Sequence, residues 1–87
     1  MLAPLLTVVE RAVLRALVPS GRRSAEALRL TTPYGVLALL QLLRELEWWG
    51  YVAAVGARPV AATLTEYALT PTGAAALAAA PPRRRFP

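Results

Sequence analysis

The chain has 87 residues, enough for one domain, and 56% of them are hydrophobic. It contains no cysteine and no histidine, which excludes disulfides and the commonest metal ligands and removes the usual general base of an enzyme. The ten basic residues are all arginine and the five acidic residues are all glutamate, so the net charge is +5. We therefore expect a protein that is not an enzyme, with no catalytic residues, no metal and no cofactor.

The positive charge is concentrated at the end of the chain. Three arginines, Arg83 to Arg85, lie in the last five residues, so residues 1–82 carry seven arginines and five glutamates, a balance of 7 − 5 = +2. We expect residues 1–82 to form the domain and residues 83–87 to be a flexible arginine-rich tail. Such a tail either contacts backbone phosphates or only keeps the protein in solution.

The size and hydropathy of the chain predict its oligomeric state and its location in the cell. A domain this small buries only about 60% of the surface that its unfolded chain exposes, so an apolar excess favours self-association, and we expect a homodimer. The first residues have no basic n-region and reach Glu10 early, and no segment has the ~20 apolar residues of a membrane span. A cytoplasmic protein with no membrane partner is therefore expected.

Capping residues predict two helices in the first third of the chain. Thr7 and Glu10 have the spacing of a capping box, and apolar residues at helical spacing follow them, which predicts a helix over residues 7–18. A Pro-Ser-Gly run ends this helix. Ser24 is the expected N-cap of a short second helix over residues 24–30.

A third, longer helix is predicted over residues 33–49. Thr32 followed by Pro33 has the form of an N-cap with proline at the first helical position, and Gly50 is suited to end the helix. The apolar residues expected to face the core are Val36, Leu39, Leu40, Leu43 and Leu46.

Two strands and a last helix are predicted after Gly50. Residues 51–56 and 63–69 are rich in β-forming residues and flank a Gly-Ala-Arg-Pro turn. Thr70 and the proline after it predict the start of a helix over residues 71–80. Three helices, a β-hairpin and a C-terminal helix make a fold that is α+β and mainly α, in the order of a winged helix-turn-helix.

Two motifs flank the predicted hairpin. Residues 43–52, Leu-Arg-Glu-Leu-Glu-Trp-Trp-Gly-Tyr-Val, place two leucines three apart before a glycine and an apolar pair. Residues 67–73, Tyr-Ala-Leu-Thr-Pro-Thr-Gly, place a tyrosine, a leucine-threonine pair and a glycine around the end of the second strand. Both motifs resemble winged-helix repressors, PadR proteins first and then the MarR and ArsR families, and the resemblance covers roughly residues 7 to 80.

This resemblance implies a repressor-like transcriptional regulator that binds double-stranded DNA as a homodimer. The chain departs from the family pattern in three respects. The exposed positions of the recognition helix, which carry polar side chains in the family, are Leu37, Ala38, Gln41 and Leu42 here. The helix is also expected to begin about one turn earlier, and the dimerisation segment that follows the domain in PadR proteins is nearly absent.

Candidate DNA-reading residues follow from the recognition helix, whose N-terminal residues meet base edges in the major groove. The candidates are Thr31, Thr32, Tyr34, Gln41 and Arg44. Gln41 has the chemistry to pair with adenine and Arg44 with guanine. In the alternative interpretation, Thr32 is only a helix cap and Tyr34 a partly buried aromatic residue.

Three further arginines are candidates for the DNA backbone. Arg22 and Arg23 precede the second helix, and arginine in such a place commonly contacts phosphate. Arg58 lies at the predicted tip of the wing, where it could reach the minor groove or a flanking phosphate. Solvated turns without a ligand are the alternative for all three.

An apolar third-helix face offers a second functional interpretation. If Leu37, Ala38 and Leu42 point outward, they would meet another protein, and the chain would be an interaction module. A helper protein of a phage or mobile element is a third option. Trp48 and Trp49 cannot both face the core, since adjacent helical residues point about 100° apart. One of them is therefore expected in a dimer or partner interface, and the first and last helices are the other candidates for the dimer contact.

Overall fold

Helices and short strands alternate along the part of the chain that the computed structural model describes, residues 6–19, 21–56 and 61–79. In chain order the elements are helix α1 (Val8–Leu17), strand β1 (Arg22–Ser24), helix α2 (Ala25–Leu28), helix α3 (Val36–Trp48), strand β2 (Val52–Val55), a 3-10 helix (Ala62–Leu64), strand β3 (Glu66–Leu69) and helix α4 (Pro71–Ala78). The described residues thus form an α+β arrangement of four α-helices and one three-stranded antiparallel sheet, compatible with a winged helix.

The first two helices begin as the sequence predicts. Thr7 Oγ1 accepts a hydrogen bond from the Glu10 amide at 3.1 Å, and Glu10 Oε1 accepts one from the Thr7 amide at 2.8 Å, which completes the capping box. Ser24 Oγ accepts from the Ala27 amide at 3.1 Å. Both predicted caps are confirmed, although α2 is only four residues long.

The predicted start of α3 is wrong by three residues. The Thr32 hydroxyl donates to the Leu28 carbonyl at 2.9 Å, and the Thr32 amide donates to the same oxygen at 3.0 Å. Thr32 therefore closes the last turn of α2 instead of opening α3. Helix α3 begins at Val36 with Gly35 as its N-cap, so the extra turn expected at its start is absent.

The end of α3 is a Schellman motif, as expected for glycine at this place. Gly50 has a φ of 84°, a left-handed conformation that costs glycine little. The Gly50 amide donates to the Glu47 carbonyl and the Tyr51 amide to the Leu46 carbonyl, both at 2.9 Å. Leu46 and Tyr51 are both buried in the core, so the motif also fixes the direction in which the chain enters β2.

Strand β3 lies in the centre of the sheet, in the order β1-β3-β2. Tyr67 is buried and pairs with Ala54 of β2 and with Arg23 of β1. Strand β1 was not predicted, because three residues that include two arginines give no alternation of apolar and polar positions. Residues 63–65, predicted as the start of the second hairpin strand, precede β3 and lie mostly in the 3-10 helix.

The two sequence motifs meet where α3 ends and α4 begins. The Thr70 hydroxyl donates to the Gly50 carbonyl at 2.6 Å and accepts from the Gly73 amide at 3.0 Å, and the Thr70 amide donates to the Tyr51 carbonyl at 3.1 Å. Gly73 is buried against the same carbonyl, and a Cβ at Gly73 would collide with the Tyr51 oxygen. We call these four residues, Gly50, Tyr51, Thr70 and Gly73, the α3–α4 junction.

One core lies between the helices and the sheet. Its buried hydrophobic residues are Val13, Leu14, Leu17, Ala25, Leu28, Leu39, Leu43, Leu46, Tyr51, Val52 and Tyr67. Of the α3 residues predicted to face it, Leu39, Leu43 and Leu46 are fully buried, whereas Val36 and Leu40 are half-buried at its margin. None of the described helices is long and apolar enough to cross a membrane.

Candidate nucleic-acid interface

The face of α3 opposite the core is open to solvent. It carries Leu37, Gln41, Arg44 and Trp48, at successive spacings of four, three and four residues, which places them along one side of the helix. Leu37 is 74% exposed and Trp48 is 72% exposed. We call these four residues the outer stripe. With Leu40 and Glu45 they line a shallow, open groove of about 410 Å³.

The chemistry of the outer stripe is apolar at both ends and polar in the middle. Gln41 supplies an amide donor and an amide acceptor, and Arg44 supplies a planar set of donors. Glu45 lies beside Arg44 and brings a carboxylate to the same groove, so the groove carries one charge of each sign. Gln41 and Arg44 are therefore both exposed where base contacts would require them, but they lie next to an acid and two large apolar side chains.

One of the residues predicted for a partner surface instead packs inward. Leu42 is half-buried against the core, because it lies three residues after Leu39 and four before Leu46, which are both fully buried. The expectation that it faces a partner with Leu37 is therefore wrong for the most part. Trp49 also packs against the core, whereas Trp48 is exposed, and the two rings meet edge to face with centroids 4.9 Å apart. The predicted division of the two tryptophans between inside and outside is confirmed.

The turn between α2 and α3 holds the other three predicted base-reading residues. Thr31 is exposed, and its hydroxyl lies 3.4 Å from the Leu28 carbonyl. The Thr32 hydroxyl donates to the same carbonyl at the shorter distance of 2.9 Å. Tyr34 is half-buried against the core. The geometry therefore brings Thr31 to the surface near the start of α3 and gives Thr32 and Tyr34 mainly structural contacts.

Arg22 and Arg23 precede α2, as the sequence predicted, and lie in strand β1. Arg22 Nε is 3.4 Å from Glu66 Oε1 of the neighbouring strand, and both side chains are about half exposed. A Cβ at Gly56 would be 3.9 Å from Arg22 Nη1, so this guanidinium also lies beside the end of β2. The pair joins β1 to the end of β3 that lies next to the hairpin loop, and it partly neutralises one of the two predicted phosphate contacts.

One arginine with a clear structural role was missed from the sequence. Arg11 Nη2 donates to the Leu77 carbonyl at 2.9 Å and to the Ala79 carbonyl at 3.3 Å, so it ties α1 to the last turn of α4. A cation at a helix C-terminus satisfies carbonyls that have no partner within the helix. No sequence signal links residues this far apart.

The remaining predicted arginines, Arg58 and the tail Arg83 to Arg85, lie outside the described residues. Within the described ranges, no group of three or more histidine, cysteine, aspartate or glutamate residues is placed to hold a metal ion. Comparison with known proteins found no matching family model, no matching curated protein and no matching solved structure. The function is therefore argued from the geometry of the chain itself.

Proposed function

We propose that the chain is a winged helix-turn-helix protein, PadR-like in its motifs, that binds double-stranded DNA as a homodimer in the cytoplasm and regulates transcription. It has no catalytic role in this proposal. The observation that carries it is the element order, in which α2 and α3 precede a β2–β3 hairpin and strand β1 pairs on the far side of β3. That arrangement leaves one face of α3 exposed, as a recognition helix requires.

The start of α3 favours an anionic ligand. Gly35 caps the helix without a side-chain hydrogen bond, so no side chain of the N-cap covers the first-turn amides. Such amides and the helix dipole attract phosphate. Thr31 is exposed at the preceding turn and could add a hydroxyl contact. This geometry supports a phosphate contact at the N-terminal end of α3.

Base reading along α3 is limited to two side chains. Gln41 and Arg44 are exposed on the outer stripe, and each could form a bidentate contact to adenine or guanine. Since Leu37 and Trp48 offer no such contact and Glu45 repels phosphate, we expect arginine–phosphate contacts to supply most of the affinity. Arg22 and Arg23 are the described candidates, and Arg58, which follows β2 in the sequence, is a further candidate.

Fluorescence anisotropy with random duplex DNA at several salt concentrations tests this proposal. Replacing Arg22 and Arg23 by alanine should weaken binding to all duplexes alike and reduce the salt slope by about one per lost phosphate contact. Glu66→Gln removes the acid beside Arg22, so it should strengthen binding. Arg15→Ala, on the exposed side of α1, is the matched control and should leave binding unchanged.

Base reading is tested separately, with a duplex selected for tight binding to the wild-type chain. Gln41→Ala or Arg44→Ala should cost about 1–3 kcal/mol at one preferred sequence and little at others. If the wild-type chain shows no salt-dependent binding to any duplex, the DNA proposal is wrong.

A protein-interaction module is the second candidate, and the exposure of Leu37 and Trp48 on one side of α3 favours it. In that case Leu37→Asp abolishes association with a protein partner, while the arginine variants change nothing. Leu42→Asp is not suitable for this experiment, because Leu42 packs against the core.

A further inference from the structure

The outer stripe has a symmetric pattern. Leu37 and Trp48 are equally far from the midpoint of the stripe, between residues 42 and 43, and so are Gln41 and Arg44. A twofold axis through that midpoint would therefore place apolar ends against apolar ends and polar centres against polar centres. The spacing of four, three and four residues is also that of the seam between two coiled helices.

We propose that the outer stripe is a self-association surface, on which α3 of a second copy packs antiparallel about this axis. Leu37 then packs against the partner subunit's Trp48, and the Gln41 carbonyl accepts from the partner subunit's Arg44. A twofold contact uses the same patch on both copies, so one self-complementary stripe is sufficient. This assembly does not depend on DNA binding.

Charge supports a second copy as the occupant. Arg44 and Glu45 lie within three residues of the midpoint, so two arginines and two glutamates would gather near the axis with no net charge. Each copy thus brings both signs to the contact, and each Arg44 has an acid and an amide of the partner within reach. A nucleic acid would instead bring phosphates towards Glu45 and leave Leu37 and Trp48 without apolar partners.

The small size of the outer stripe limits the expected affinity of the dimer. Helix α3 has thirteen residues, and a contact along one side of it buries less than the roughly 800 Å² per partner of a standard interface. The dimer should therefore be weak, with a dissociation constant on the order of micromolar. A dimer formed through this surface also covers Gln41 and Arg44, so association here and base reading by these residues exclude each other.

Sedimentation of the purified chain without DNA tests the surface. The wild type should associate as its concentration rises, and Leu37→Glu should weaken association at least about tenfold by placing acids against the partner's tryptophan. Leu30→Glu is the matched control: Leu30 is 75% exposed in the turn after α2, off the stripe, and its replacement should leave association unchanged. Far-ultraviolet circular dichroism verifies that each variant is folded.

A charge exchange tests whether the centres of two stripes face each other. Arg44→Glu gathers four acids near the axis and Glu45→Arg gathers four arginines, so each variant alone should associate more weakly than the wild type. Mixed in equal amounts, the two variants should associate more strongly than either alone, because acids then face arginines. Three outcomes would each overturn the proposal. The wild type could stay monomeric up to about 100 times the expected micromolar dissociation constant. Leu37→Glu and Leu30→Glu could change association equally, or the mixed variants could associate no more strongly than each variant alone. Because DNA is absent throughout, these outcomes are independent of the DNA proposal.

Discussion

The outer stripe lies along α3 and the α3–α4 junction follows the end of that helix, and the two regions differ in how their residues are explained. At the junction, Thr70 both donates and accepts, and the Gly73 backbone packs directly against Tyr51, so each side chain follows from a contact inside the fold. On the outer stripe, Leu37 and Trp48 contact mostly solvent. The first region is explained by contacts within the fold, whereas the second is the surface for which we propose a contact with another molecule.

The largest expected effect is at the junction. Gly73→Ala places a methyl group against the Tyr51 carbonyl, whose carbon would be 2.8 Å away, and a backbone group on a buried strand entry has little freedom to move. We expect a loss of about 3 kcal/mol or more in the free energy of unfolding, measured by denaturant titration. Gly35→Ser is the control, since nothing lies within 4 Å of a Cβ there and serine is a good N-cap. A Gly73→Ala variant as stable as the wild type would contradict the close approach.

The second largest expected effect is a difference in stability between substitutions on the inner and outer sides of α3. Leu42→Asp puts a charge against the core, so we expect a loss of about 2 kcal/mol in the free energy of unfolding. Leu37→Asp changes an exposed side chain and should alter stability by about 0.5 kcal/mol or less at a concentration where the chain is monomeric. Equal melting curves for the two variants would mean that the inner and outer sides of α3 are wrongly assigned.

A smaller effect is expected for the hydroxyl of the junction. Thr70→Val keeps the shape of the side chain but removes the cap on Gly73 and the hydrogen bond to Gly50, which should cost about 1–2 kcal/mol. Thr70→Ser keeps the hydroxyl and should recover most of this loss. Thermal unfolding of the three proteins measures the difference, and identical midpoints for valine and serine would show that the hydroxyl contributes nothing.

Much of the fold was predictable because local signals decide it. The capping box at Thr7, the cap at Ser24 and the glycine end of α3 act within a few residues, and each appears as expected. The start of α3 was not predictable in the same way. Thr32 can close the helix before it or cap the helix after it, and its two hydrogen bonds to the Leu28 carbonyl, four residues earlier, commit it to α2.

The parts that depend on long-range pairing were missed. Strand β1 exists because β3, more than 40 residues later, offers it a hydrogen-bonding edge, and Arg11 reaches α4 across 66 residues. The exposure of most candidate side chains on α3 was predictable from local spacing, although that of Leu42 was not. Helical spacing correctly placed Leu37, Gln41 and Arg44 outside, whereas the position of Arg22 beside Glu66 follows only from the sheet.

Strand β1 has a further consequence for the chain in concentrated solution. Among the described strands it pairs with β3 on one side only, so it lies at the edge of the sheet. An edge strand can recruit strands of other molecules and start aggregation, and short length and charged side chains oppose this. With three residues, two of them arginine, β1 is a poor template for another strand. The same arginines that are candidates for phosphate binding thereby keep the sheet from extending between molecules.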